Sequence, residues 1–218
     1  MKQEKSKISV LMSVYKKENP EYLRASLESI LVQTRTADEI LLIEDGPLTQ
    51  ELYQVVAEYQ KKCDYLHVHA MEQNVQLGRA LAKGVELCQY DLIARMDTDD
   101  IAMPHRLEKE GAYMEAHPEV DVVGGAIREF NDEGTIDRVK NMPKTQEEIL
   151  EYVKVRNPLN HMTVMYRKDS ILKAGNYKHF PFLEDYSLWS RMLSQGYQFR
   201  NMEDILVRAR TSMGLVKR

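Results

Sequence analysis

The chain predicts an α/β fold with a mainly parallel sheet and helices on both faces. Short β-branched runs alternate with helical patterns, the sequence form of successive βαβ units. The 218 residues are enough for a sizeable core, and no stretch rich in Pro, Gly or Ser divides them. The whole of 1–218 therefore reads as one domain of two halves, 1–100 and 101–218.

Ile8 to Val14 predicts the first strand. Asn19-Pro20 supplies an N-cap and first helical residue, after which Leu23, Leu27, Ile30 and Leu31 repeat on one helical face. Ile40 to Ile43 is the second strand, followed by a helical stripe of Leu52, Val55, Val56 and Tyr59. Tyr65 to His69 is the third strand, Leu77 to Leu87 a helix and Leu92 to Met96 the fourth strand. Beyond it, Pro104 to His117 reads as a helix and Val120 to Phe130 as a strand. Asn131-Asp132-Glu133-Gly134 then turns into a short partner strand, forming a small antiparallel element. Gln146 to Val155 is helical, Met162 to Tyr166 strand-like, and a short helix ends near Gly175. Leu183 to Gln195 is a further helix, with Leu188, Trp189, Met192 and Leu193 at core spacing, and two short strands close the chain.

Composition narrows the function classes. The formal net charge of −4 argues against a nucleic-acid partner bound through a general basic field. Cys63 and Cys88 form neither a disulfide framework nor a metal-ligand pattern, so a reducing cytoplasm is the simplest setting. The charged start, Met1 to Lys7, is not followed by a signal-peptide apolar segment, and no run approaches transmembrane length.

The strongest chemical signal is the run Leu92-Ile93-Ala94-Arg95-Met96 ending in Asp97-Thr98-Asp99-Asp100. Alternate strand residues share a face, so Asp97 and Asp99 project together and can hold a divalent cation with substrate phosphates. The competing reading is a turn or helix cap, since Asp and Thr satisfy free backbone N–H groups. Ligands of open parallel sheets bind beyond the carboxyl ends of strands. Ser13-Val14-Tyr15, Glu44-Asp45-Gly46 and Asp97-Thr98-Asp99 therefore converge on one crevice. Glu184 and Asp185 are a second candidate pair: either helix-start carboxylates favoured by the macrodipole, or a base accepting a proton from an attacking hydroxyl.

In order along the chain, Ile8 to Tyr15, Ile43-Glu44-Asp45-Gly46, Asn74 to Gly84 and Asp97 to Asp100 resemble the family 2 glycosyltransferases. Asn157 to Val164, Glu184 to Trp189 and Leu206 to Arg210 are similar to the members that build bacterial capsular polysaccharides and exopolysaccharides. The resemblance implies the Rossmann-like GT-A fold. It implies inverting, hexosyl-type transfer from a nucleotide-diphosphate sugar, with UDP the preferred nucleotide, to a glycan or lipid-linked acceptor. It assigns Asp97 and Asp99 to Mn²⁺ or Mg²⁺, Asp97 also to the donor ribose or phosphate, Asp45 to the base, and Asp185, with Glu184 beside it, to acceptor activation. Related chains commonly continue past a segment such as Gly214 to Arg218. By the same analogy the protein works in the cytoplasm, with peripheral association at the inner face of the membrane. The second-strand signature, Glu44-Asp45-Gly46-Pro47, departs from the frequent Asp-Asp-Gly-Ser.

Arg79 falls where the family can place a basic residue near the nucleotide, or is a solvated helix charge. Arg208 and Arg210 are candidates for a diphosphate or lipid-linked acceptor, since Arg suits phosphate recognition. His161 is a candidate substrate contact; His67 and His69, alternating on a strand, read as packing rather than as a metal pair. An EF-hand reading of Asp97, Asp99 and Glu108 fails at Ile101 and Ala102. A sugar nucleotidyltransferase would need a Gly-rich loop where Tyr15-Lys16-Lys17-Glu18-Asn19 stands. A phosphatase with an Asp nucleophile and a non-catalytic nucleotide-sugar-binding module are the remaining alternatives.

Overall fold

The structure is a computed structural model that describes residues 5–211. The segment Gly214 to Arg218 and most of the charged start lie outside the described residues. Ten elements make the first half: β1 (Ile8–Val14), α1 (Pro20–Leu31), β2 (Glu39–Glu44), α2 (Gln50–Lys62), β3 (Leu66–Ala70), α3 (Leu77–Leu87), β4 (Leu92–Met96), β5 (Ile101–Ala102), α4 (Arg106–Ala116) and β6 (Val122–Phe130). The rest are β7 (Asp137–Lys140), α5 (Gln146–Tyr152), a 3-10 turn (His161–Thr163), β8 (Met165–Arg167), α6 (Lys168–Lys173), α7 (Glu184–Ser194) and β9 (Phe199–Arg210).

The helix starts follow their caps. Asn19 accepts from the Glu21 N–H with Pro20 in the first turn of α1, and Thr145 and Glu148 form a reciprocal capping box on α5. One nine-stranded sheet, ordered β3-β2-β1-β4-β8-β6-β9-β5 with β7 beside β6, runs through both halves. Strands β3, β2, β1 and β4 are parallel, as are β6 and β9; β8, β7 and β5 join antiparallel. Because strand residues alternate faces, Val10 and Met12 pack with α1, α2 and α4, while Leu11 packs with α3, α6 and α7. Trp189 is fully buried in the second layer, meeting Phe199 edge-on at 5.7 Å between ring centres.

Three elements differ from the sequence reading. The Met162 to Tyr166 strand is instead a 3-10 turn followed by β8. The two closing strands are one strand of 12 residues, β9. Gly124 and Gly125 of β6 explain its continuity. A Cβ on Gly125 would lie 2.6 Å from Leu206, and one on Gly124 2.7 Å from Asn201, so β9 passes where no side chain could stand. Register shifts at this point absorb the irregular stretch. The short strand β5 was not anticipated; pairing with β9 stretches the chain after Asp100 to the far edge of the sheet.

The C-terminal end of β4 rests on a buried ion pair. Arg106 donates from Nε to Glu110 at 2.9 Å and from Nη2 to the Arg95 carbonyl at 2.7 Å, with both ionic side chains inaccessible to solvent. Burial pushes the Glu110 carboxyl up to about 7 against the opposing pull of Arg106. Removing one partner of such a pair typically costs about 3–5 kcal/mol. Arg106→Met is therefore expected to lose stability on that scale in urea unfolding. A loss under about 1 kcal/mol, the range of an exposed pair, would contradict this account.

Candidate active site

Parallel order reverses direction at β1. From there β2 and β3 lie to one side, with α1 and α2 on one face, and β4 lies to the other, reached through α3 on the opposite face. The carboxyl ends of β1 and β4 consequently flank an open crevice. A cleft of about 490 Å³ occupies it, lined among others by Ser13, Tyr15, Asp45, Asp97, Asp99 and Glu184.

Asp45 follows β2 and is almost wholly buried. It accepts from Asn74 Nδ2 at 2.9 Å and from the Val75 N–H at 2.6 Å, joining the loop after β2 to the one leading into α3. Gly46, at φ +83°, permits this approach: a Cβ there would sit 2.5 Å from the Asn74 nitrogen. Gly78 does the same on the other wall, where a Cβ would be 2.6 Å from the Lys178 carbonyl. Residues 179–182 thereby close over one side of the cleft, with Phe182 95% exposed at its rim.

Asp97, Asp99 and Asp100 each present a carboxylate oxygen within 4.8 Å of the others. Burial, then the charges of Asp97 and Glu18, push the Asp99 carboxyl up to about 6. Asp100 is raised well above the usual carboxylate range by burial, then by Asp97 and Asp99. An all-oxygen, like-charged donor set suits a hard divalent cation, which would relieve this repulsion. Asp100 also accepts from the Arg210 N–H at 2.7 Å. Glu108, at position twelve of the EF-hand reading, instead accepts from Thr34 at 2.8 Å, outside this cluster.

Asp97 is not free. Arg95, 2% exposed, donates to both its oxygens, each at 2.5 Å. The Asp97 carbonyl accepts from Ser26 of α1 at 2.8 Å, and Thr98 donates to Glu18 at 2.6 Å.

On the wall facing the acidic cluster Glu184 lines the cleft and Asp185 lies behind it, only 8% exposed. Asp185 accepts from Asn157 Nδ2 at 2.5 Å and from the Tyr186 N–H at 2.7 Å. Burial raises both carboxyls above their ordinary values. His161 is not at the cleft: its Nε2 is 2.9 Å from the Tyr177 hydroxyl, its Nδ1 3.9 Å from Asp185, and burial, then the charge of Arg95, holds it neutral.

Arg210 reaches the acidic cluster from β9. Its Nε donates to the Asp99 carbonyl at 3.1 Å, it pairs with Asp132, and its guanidinium stacks 3.8 Å from the centre of the Tyr22 ring. Arg79 is exposed on α3 and does not line the cleft. Glu18, Asn74 and Arg95 are site residues the sequence reading passed over. Arg95 carried a signal, a lone charge inside an otherwise apolar strand, because a buried charge requires a partner.

The fold is of the GT-A class, and its switch-point cleft has an acidic cluster on one wall and Glu184, with Asp185 behind it, on the other. Residues 9–179 match the family described as Glycosyl transferase family 2, and the chain belongs to it; it is a glycosyltransferase. It is 42% identical over 210 residues to the amylovoran biosynthesis glycosyltransferase AmsE of Erwinia amylovora, covering 96% of this chain and 78% of that protein. Over 224 residues it is 34% identical to the Escherichia coli UDP-Gal:alpha-D-GlcNAc-diphosphoundecaprenol beta-1,3-galactosyltransferase, covering 100% of this chain and 79% of the relative. Among solved structures, S. aureus TarS 1-349 in complex with UDP-GlcNAc superposes with a TM-score of 0.77 at 20% identity, over 95% of this chain and 59% of that one. The mannosyltransferase PcManGT from Pyrobaculum calidifontis, in complex with GDP-Man and Mn²⁺, gives 0.71 at 13% identity over 94% and 57%. Among the described residues no helix is long and apolar enough to cross a membrane.

Metal ligands must be deprotonated to bind. If the acidic cluster holds Mn²⁺, its affinity, measured calorimetrically, is expected to rise as pH is raised through about 6, the value to which burial pushes the Asp99 carboxyl. An affinity flat between about pH 5 and pH 8 would remove Asp99 from the ligand set.

Proposed function

We propose that this glycosyltransferase moves a sugar from a UDP-sugar, with inversion, to a hydroxyl of a glycan or lipid-linked saccharide in bacterial polysaccharide biosynthesis, using Mn²⁺ or Mg²⁺. The observation that carries the reading is the single cleft in which Asp45, Asp97 and Asp99 face the donor side and Glu184 the acceptor side. The amylovoran and diphosphoundecaprenol relatives supply the context of polysaccharide assembly and a diphosphate-lipid acceptor. The bound UDP-GlcNAc of TarS supports the choice of nucleotide. Cytoplasmic placement with peripheral membrane contact belongs to the same proposal.

In this reading Asp45 orients the nucleotide base and Asp97 the ribose. Ser13 and Tyr15 form the floor of the donor pocket, and Arg210 braces the acidic loop from behind. Asp99, with Asp97 and Asp100 beside it, would hold the divalent cation. Bound there, the ion would act as a Lewis acid toward the departing nucleoside diphosphate. Inversion in one displacement needs no covalent nucleophile, only a base on the opposite side of the sugar. The family resemblance assigns that role to Asp185, with Glu184 at the cleft surface guiding the hydroxyl. The hydroxyl becomes acidic only as its bond to the sugar forms, so a carboxylate can take the proton late. His161 stands behind Asp185 as a neutral support. Arg79 stays in this proposal only as a distant contributor to the donor's charge environment.

Thermal unfolding with UDP, GDP and CDP, each with and without Mn²⁺, tests the donor site. Ligand at about 100 times its dissociation constant stabilises by roughly 2.7 kcal/mol. A shift requiring both UDP and Mn²⁺, and absent in Asp99→Ala, is expected; no shift with any nucleotide would overturn the reading. For the base, Asp185→Asn should lower kcat by about 10²–10⁴-fold while UDP binding persists. Near-normal turnover in Asp185→Asn together with loss in Glu184→Gln would transfer the role to Glu184.

A further inference from the structure

Among the carboxylates that line the cleft or stand directly behind it are Asp97, Asp99, Asp100, Glu184 and Asp185. Arg95 is the cation embedded among them. It lies on β4, the strand where the parallel half of the sheet meets the antiparallel half through β8, and its N–H donates to the Val164 carbonyl at 2.9 Å. The guanidinium clamps Asp97 at two points and is itself 2% exposed. Its Nε makes no hydrogen bond among the described residues, so nearly all of its bonding goes to one carboxylate. The planar fork matches a carboxylate in a way an ammonium cannot. Its charge also acts across the site, drawing down the carboxyls of Asp99, Asp100, Glu184 and Asp185 against the larger effect of their burial.

We propose that Arg95 is a positioning residue for the donor side of the site: its guanidinium fixes the Asp97 carboxylate at the cleft. The inference rests on the transferase reading. Asp97 is then held in place before any ligand arrives. A pre-set carboxylate loses less freedom on binding than a mobile one.

Arg95→Lys keeps the charge and loses the fork. Its affinity for UDP with Mn²⁺, measured by calorimetry, should fall roughly 10- to 100-fold, the usual cost of removing a partner that orients a metal ligand. Asp97→Asn should fall similarly, and the double variant should be no weaker than Asp97→Asn alone, because the lysine has no carboxylate left to misplace. Ligand-free thermal unfolding of each variant is run alongside. A purely structural role would lower the melting temperature and leave nucleotide affinity of the folded protein unchanged, which would overturn the inference. Additive losses in the double variant would overturn it as well. If Arg95→Lys does not fold, Arg95→Gln, which also lacks the charged fork, is measured in its place: a loss of nucleotide affinity in the folded variant supports the clamp, and an unchanged affinity overturns it. Wild-type protein that binds no nucleotide removes the transferase reading itself, whereas wild-type binding matched by Arg95→Lys removes only this inference.

Discussion

Like charges crowded into a half-buried cleft repel, and every one of them resists leaving water. The acidic loop after β4 would spread apart or protonate without fixed partners. Arg95 occupies both oxygens of Asp97, the Arg210 backbone and side chain grip Asp100 and the Asp99 carbonyl, and Ser26 ties down the Asp97 carbonyl. The remaining repulsion falls on Asp99 and Asp100, whose proton affinities burial and the neighbouring carboxylates raise. The rest of the structure keeps this loop in place. Arg106 and Glu110 hold the end of β4 from below, and β5 takes the chain away to the opposite sheet edge.

The cleft exists because of topology rather than any single residue. A sheet whose connections switch faces at β1 leaves a gap between helix layers, and the loops after β1, β2 and β4 open into it. Close approaches at Gly46 and Gly78 then set its width. The first draws the loop after β2 against Asn74, and the second lets residues 178–184 lie on the start of α3. In this way the acceptor-side carboxylates, some ninety residues away in sequence, come to face the acidic loop.

Much of this was legible before any coordinates. β1, α3 and β4 match the residues read from periodicity, because each carries a strong apolar pattern, and Asn19-Pro20 marks the start of α1. The Asp97 and Asp99 pair was visible from strand alternation ending in carboxylates, and Asp45 from its place at a strand end. The closing strand was less legible, since Glu203 and Asp204 interrupt its pattern and its continuity depends on glycines in β6 far along the chain. Arg95 was visible as a residue but not as a partner, because nothing in a strand's alternation says which neighbour will pair with an inward-facing charge.

The sequence by itself determined the class of fold, the order of its units and the acidic chemistry of its principal loop, because those depend on local periodicity and on residue type. Only the tertiary structure decided which carboxylates share a cleft, that Asp185 stands behind Glu184, that His161 is walled in by Tyr177 and Trp189, and that Arg79 points away from the site. Those outcomes depend on long-range packing and on the burial of charge, and both are properties of the assembled sheet and its layers rather than of any segment alone.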